Sequence, residues 1–217
     1  NHTRFIYLME VQQVMPKVSE EHKEQRIHQI LMASMEVFKR KGYEKATLKD
    51  IVEEAGMSRG WIYLYFKDKI EIFEALLNYL DEQLDDSLSL KNLKVQSAFE
   101  KLRDFLESNK LIFPTIDESI YPAIYEFWIS SWREPRAKEF FLNRYDKTVQ
   151  LFLNLLHAGI EQGEFQLSIP AEEIVKIIMS SMDGILVHSL AFGAEKIDAN
   201  KQIDSLLQRV EKLLNIS

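Results

Sequence analysis

Between Thr47 and Phe66 the chain carries two helical segments, each too short to stand alone. The first opens at Thr47-Leu48-Lys49-Asp50, a capping-box pattern: the Thr47 hydroxyl accepts a free backbone N–H, and Asp50 reaches back to the cap. Leu48, Ile51, Val52 and Ala55 recur at helical spacing, and Gly56 ends the segment after about nine residues. Isolated helices shorter than about 12 residues are marginal in water, so this one needs tertiary support. Ser58 is an N-cap candidate for the second segment, which ends near Phe66. Two short helices around Ala55-Gly56-Met57-Ser58, behind one longer helix, have the layout of a helix-turn-helix.

The rest of the chain is also helical in pattern. Ile27, Ile30, Leu31, Met35 and Phe38 form one apolar stripe on a helix from about His22 to Lys41, stopped by Gly42. Asp68-Lys69-Ile70-Glu71 repeats the capping pattern and starts a helix to about Ser87. Further helices read at about 94–112, 119–132, 136–162, 171–191 and 199–215, bounded by Pro114, Pro122, Pro135, Gly163, Pro170 and Gly193. The scarcity of glycine (7) and proline (5) in 217 residues disfavours a turn-rich β fold. The expected fold is all-α with about nine helices. Residues 1–21 form an N-terminal extension, 22–68 a three-helix helix-turn-helix domain and 69–217 a helical bundle, with helix 69–87 connecting the two. Residues 1–14 hold an apolar stretch too short for a secretion signal, and read as upstream residues or a short N-terminal arm.

Several chemistries are excluded. With no cysteine there are no disulfides, thiolate zinc sites or thiol nucleophiles, and a cytoplasmic location fits. No uninterrupted run approaches the roughly 18 apolar residues that span a bilayer, so no membrane partner is expected. The five histidines make no H-E-x-x-H pattern, and neither G-x-S-x-G nor a phosphate-binding glycine loop occurs. The chain is therefore expected not to be an enzyme, with no catalytic residue, metal or cofactor.

A net charge of −7 argues against a nucleic-acid partner until its distribution is examined. Residues 1–80 balance 12 Lys/Arg against 12 Asp/Glu, and the whole excess falls in residues 81–217. A local basic face in the first part is therefore allowed. Met57, Ile62 and Phe66 recur at about four-residue intervals and face inward. That leaves Arg59, Gly60 and Tyr63 outward, with Arg59 at the end of the helix that meets base edges in this geometry. A guanidinium there can make a bidentate contact to guanine. Gly60 removes bulk where backbone approaches DNA, and Tyr63 offers a ring to a thymine methyl and a hydroxyl to phosphate. Tyr65, Lys67, Lys69, Thr47 and Lys49, with Ser58, complete the expected DNA-contacting set through phosphate or backbone.

The string from Phe38 to Phe73, F…KGYEKATLKDIVEEAGMSRGWIYLYFKDKIEIF, resembles the DNA-binding domain of the TetR/AcrR family of transcriptional regulators. Phe38, Gly42, Thr47, Ile51, Ala55, Gly56, Ser58, Gly60, Tyr63, Tyr65, Phe66 and Lys69 match in order and without gaps. Within that family the chain resembles the BetI- and YfiR-like members. The resemblance implies a homodimer on a palindromic double-stranded DNA operator, usually as a repressor, released by a small ligand in a divergent helical C-terminal domain. Trp61 departs from the family habit of a small or polar residue; it packs on the first helix or touches a sugar-phosphate chain.

Half of the 24 aromatics lie between Phe99 and Phe152. Tyr121, Tyr125, Trp128 and Trp132 follow i, i+4, i+7, i+11, one stripe on one helix. With Phe105, Phe152 and Met179 they are the candidate lining for a largely apolar small-molecule effector; the plain alternative is ordinary core. Glu126, on a neighbouring face, suits a cationic ligand or simply solvent. The last two helices offer Ile185, His188, Phe192, Leu206, Val210 and Leu213 as a four-helix dimer face, or as a cap on the monomer core. The rival to a DNA-binding regulator is a helical protein-interaction or small-molecule-binding module without DNA binding, whose mark would be a sealed recognition helix.

Overall fold

The computed structural model describes residues 20–89 and 97–216; residues 1–19 of the N-terminal extension lie outside them, and Glu20 and Glu21 begin the first helix. Within these residues every regular element is a helix: α1 (Glu20–Lys45), α2 (Leu48–Ala55), α3 (Arg59–Ile62), α4 (Lys69–Leu88), α5 (Ala98–Ser108), α6 (Tyr121–Ser131), α7 (Pro135–Glu161), α8 (Ala171–Phe192) and α9 (Ala199–Leu214). The expected start at 94 falls outside the described residues, and the end of that segment tightens into 3-10 turns over Asn109–Leu111 and Phe113–Glu118. Pro114, near the start of the second turn, cannot donate to an α ladder. The recognition helix is also shorter than expected. Regular α geometry covers Arg59–Ile62, and tight turns carry the chain on, with the N–H groups of Tyr65 and Phe66 both donating to the Ile62 carbonyl.

Two hydrophobic cores divide the molecule. The first gathers Ile30, Val37 and Phe38 of α1, Ile51 of α2, Ile62 and Phe66 around α3, and Ile72, Phe73, Leu76 and Leu77 of α4. It is not closed by these helices alone: Ala123 and Phe127 of α6 and Ala137 of α7 complete it. The Phe127 ring lies 4.6 Å from Tyr43 and 5.0 Å from Phe73, and Phe73 lies 4.7 Å from Phe38. The second core packs α5, α7, α8 and α9 around Leu102, Phe152, Leu155, Ile178 and Val210. Helix α4 runs from one core to the other, with Phe73 in the first and Leu88 in the second.

Helix α1 breaks at Gly42, whose φ of 75° and ψ of 170° are closed to most side chains. A Cβ there would also lie 2.6 Å from a carboxylate oxygen of Glu126, which accepts the backbone N–H of Glu44. The Glu126 side chain thus ties α6 to the end of α1, a role the sequence does not reveal.

The expected dimer face is corrected in part. Ile185, Leu206 and Val210 are buried in the subunit's own second core, because α8 and α9 turn their apolar stripes toward each other and toward α5 and α7. His188 and Phe192 are exposed, their rings 5.5 Å apart, and Leu213 is half-buried. Helix α8 is long and apolar enough to cross a membrane by composition, but Ile174, Val175, Ile178, Met182, Ile185 and Leu186 face the core.

The two short helices depend on polar caps as well as on core. Thr47 and Asp50 form the reciprocal capping box, and Lys41 adds an ion pair to Asp50 at 2.6 Å. Hydrogen bonds from Lys41 and Thr47 hold the Asp50 carboxyl at about 2. A depressed carboxyl stabilises the fold only while ionised. Asp50→Asn is therefore expected to lower the melting temperature at pH 7. The gap from the unsubstituted protein should close as pH falls from about 4 through about 2, read by thermal melts across pH. Phe127→Ala removes a fully buried ring shared by two parts of the fold. It is expected to cost about 3–5 kcal/mol in denaturant unfolding.

Candidate nucleic-acid interface and ligand cavity

The turn between α2 and α3 is made by Gly56, in the left-handed region at φ 63°, whose N–H closes on the carbonyls of Val52 and Glu53. This turn presents α3 edgewise. Ile62 and Phe66 are buried and Met57 is half-buried, while Ser58, Arg59, Gly60, Trp61 and Tyr63 are exposed. The recognition helix is not sealed inside the body.

Arg59 donates to the Tyr63 hydroxyl at 3.0 Å, and its guanidinium stands 5.4 Å from the Tyr63 ring centre. The two side chains form one pre-assembled polar unit on the outer face. Ser58 occupies the N-cap position but makes no capping hydrogen bond, which leaves its hydroxyl for another partner. A Cβ on Gly60 would meet nothing of the protein within 4 Å. No internal clash demands glycine there, although alanine is the better helix former by up to about 1 kcal/mol. Trp61 packs beneath Arg26 of α1, 5.7 Å from guanidinium to ring centre, and still keeps 43% of its surface exposed.

The flanking residues divide. Lys49 is exposed and loosely paired with Glu53 at 3.6 Å; Lys67 is exposed, its backbone N–H held by Glu71. Tyr65 is half-buried against the first core. The Thr47 hydroxyl already serves Asp50. Lys69 is engaged within the protein. Its ammonium donates to the carbonyls of Tyr43 at 2.7 Å and Ala46 at 3.0 Å, and lies 4.2 Å from the Tyr43 ring centre. Desolvation lowers its pKa. Lys69 satisfies carbonyls at the end of α1, which would otherwise lack donors.

A cavity of about 730 Å³ lies between the two cores. Helix α4 contributes Leu80, Asp81 and Leu84 to its wall, α5 Phe105, α6 Tyr121 and Ile124, α7 Arg144, Thr148 and Phe152, and α8 Ile178, Met179, Met182 and Asp183. Lys39 of α1 reaches its rim. A smaller annex of about 240 Å³ shares Tyr121, Arg144, Met179 and Asp183 with it and adds Tyr125, Trp128, Phe141 and Tyr145. Of the expected lining, Phe105, Tyr121, Phe152 and Met179 border the main cavity, and Tyr125 and Trp128 the annex. Trp132 is the exception. It caps the C-terminal end of α6, 59% exposed under Arg133, where the helix has run past the bundle.

The polar groups of the cavity are ones that sequence reading did not single out. Arg144 grips Asp81 with two hydrogen bonds of 2.7 Å, linking α7 to α4. Arg136 makes a second link from α7 to α4, at 2.6 Å from Glu74. The Tyr125 hydroxyl donates to Asp183 at 2.9 Å. Burial, then the neighbouring Asp183 charge, raises the Tyr125 pKa; burial also raises that of Asp183. The signal for Asp183 was present: it is the only acidic residue between Ile174 and Phe192, in an otherwise apolar helix. Among the described residues, no group of three or more metal-ligating side chains is placed to hold an ion.

Residues 30–76 match the model for bacterial regulatory proteins of the tetR family, and residues 101–200 match that for a tetracyclin repressor-like C-terminal domain. A Bacillus subtilis (strain 168) protein described as an uncharacterized HTH-type transcriptional regulator, YfiR, is 36% identical over 88% of this chain and 92% of its own length. Among solved structures, FadR from Bacillus subtilis, in complex with stearoyl-CoA, superposes with a TM-score of 0.64 at 20% identity, covering 84% of this chain and 96% of FadR. A Saccharomonospora viridis protein in complex with choline gives 0.64 at 22%, covering 89% of this chain and 96% of that one. At such identities these two share the fold. The family matches and the relative across nearly the whole length carry more: this chain belongs to the TetR family, as a DNA-binding transcriptional regulator with a helical C-terminal domain.

Proposed function

We propose that the protein is a repressor that binds a palindromic operator as a homodimer and is released when a small organic ligand fills the cavity between its two cores. Phosphate contacts from Lys49, Lys67, Ser58 and Tyr65 supply affinity in this reading. The Arg59–Tyr63 unit supplies most of the base discrimination. Trp61, held by Arg26, and Gly60 allow the backbone to come close to the duplex.

The observation that carries the reading is the double use of α6. One face places Tyr121 and Ile124 on the cavity, while Ala123 and Phe127 lie in the first core and Glu126 holds the end of α1. A ligand that prefers one setting of α6 therefore biases the pose of the DNA-binding unit by its differential affinity for the two settings. Helix α4, bound to α7 through Asp81 and Glu74, would tilt with it. The choline and stearoyl-CoA complexes concern ligands of very different size and charge on the same fold. The side chains of this cavity, not its architecture, set the effector.

A dimer follows from the DNA geometry, because two recognition helices must meet major grooves about 34 Å apart. The surface of α8 and α9 that remains free in one subunit carries Gly184 and Ser205, small residues that let helices approach closely, beside the larger His188, Phe192 and Arg209. Phe192→Asp is expected to shift the protein toward monomer in sedimentation velocity; an unchanged sedimentation coefficient would place the interface elsewhere. Arg59→Ala is expected to cost about 1–3 kcal/mol in operator binding and to relax preference at one base pair per half-site. Selection of bound sequences from random DNA, with both proteins, reads this directly, and an unaltered preference removes Arg59 from base readout.

A further inference from the structure

We propose that the cavity takes a bulky organic monocation, its charge held at Asp183 among the rings of Tyr121, Tyr125 and Trp128 and its apolar body in the main cavity. The inference rests on the reading of this cavity as the effector site.

The charge balance of the wall points to a cation. Arg144 and Asp81 neutralise each other through two short hydrogen bonds, so the guanidinium has no fork left for an anion. Lys39 at the rim pairs with Glu36 at 3.1 Å. Glu118, also at the rim, is exposed and adds negative charge. Asp183 has no ion-pair partner among the described residues, and its recorded hydrogen bond comes from the neutral Tyr125 hydroxyl. The unbalanced charge on the cavity wall is therefore a carboxylate, on a residue that is itself exposed.

The surroundings of that carboxylate suit a soft cation rather than a hydrated metal ion. Tyr125 and Trp128 stand with ring centres 6.1 Å apart, and Trp128 and Phe141 6.3 Å apart, so several π faces border the annex. Such faces attract an organic cation within about 6 Å of a ring centre. Asp183 is exposed as a residue, yet desolvation of its carboxyl outweighs the Tyr125 hydrogen bond and the nearby Arg144 charge and disfavours the ionised form, which a bound cation would restore. Most of the remaining wall, from Leu80, Leu84, Phe105, Phe152, Ile178 and Met182, is apolar, and Asn109, Thr115, Ser119 and Thr148 supply a few uncharged polar groups, a lining that suits a largely apolar body with few hydrogen bonds. A volume near 730 Å³ exceeds what a bare methylammonium head would fill.

Tetraphenylphosphonium and tetraphenylborate have one size and shape and opposite charge, and they test the proposal on the free full-length protein by calorimetry and tryptophan fluorescence. The phosphonium is expected to bind about tenfold or more tightly than the borate. Asp183→Asn should erase that preference, and Asp183→Glu should largely restore it, with melting curves confirming that each variant is folded. Equal binding of the two ions, or phosphonium binding unchanged in Asp183→Asn, overturns the proposal. If Asp183→Asn does not fold, the comparison of the two ions on the unsubstituted protein still decides. Operator binding is measured separately: loss of cation selectivity with operator binding intact refutes this inference alone. Selectivity without any operator refutes the repressor reading alone.

Discussion

The contact of Phe127 with the rings of Tyr43 and Phe73, which pack in turn on Phe38, is the one on which the rest of the molecule depends. The DNA-binding unit is built from helices of 8 and 4 residues, which have no stability of their own. They are held by α1 and α4, and that small cluster is in turn closed from below by α6. Aromatic contacts of this kind are short-ranged and steeply dependent on fit, so the pose of the recognition helix cannot be independent of the bundle. The same packing that makes the short helices possible also couples them to the cavity.

Polar contacts fix what the rings leave free. Glu126 and Lys69 both satisfy backbone groups around the break in α1, one accepting from Glu44 and the other donating to Tyr43 and Ala46. Arg136 and Arg144, two turns apart on α7, grip acidic residues two turns apart on α4. Both pairs are at least partly open to solvent, where ion pairs contribute modestly to stability. Their value is positional, since two anchors along one helix define its tilt where one would leave a pivot.

Much of this was legible in the residues because it is written in local chemistry. Caps at Thr47 and Asp68, the left-handed turn at Gly56 and the prolines at the start of α6 and α7 are short-range signals, and they located the helices and the recognition surface. The failures were long-range. Ile185, Leu206 and Val210 have the spacing of an interface, but only packing decides whether an apolar stripe meets its own subunit or another. Lys69 lies at the N-terminus of α4, as a phosphate ligand would, and nothing in its neighbours tells that carbonyls 23 to 26 residues earlier reach it first. Trp132 continues the aromatic periodicity one turn beyond the edge of the body. Glu126 was weighed for its charge, whereas its function lies in a backbone N–H 82 residues away.

Gly42 and Glu126 have a consequence for modularity. The first three helices look like a cassette that evolution or an engineer could move between bundles. The end of the first of them, however, carries a notch at Gly42 with room for a carboxylate and none for a methyl group, and the carboxylate comes from the bundle. A chimera that joins this reading head to a foreign body lacking an acid at that place would leave the notch unfilled and the head loosely seated. Exchange between relatives should succeed only where donor and recipient share that lock and key.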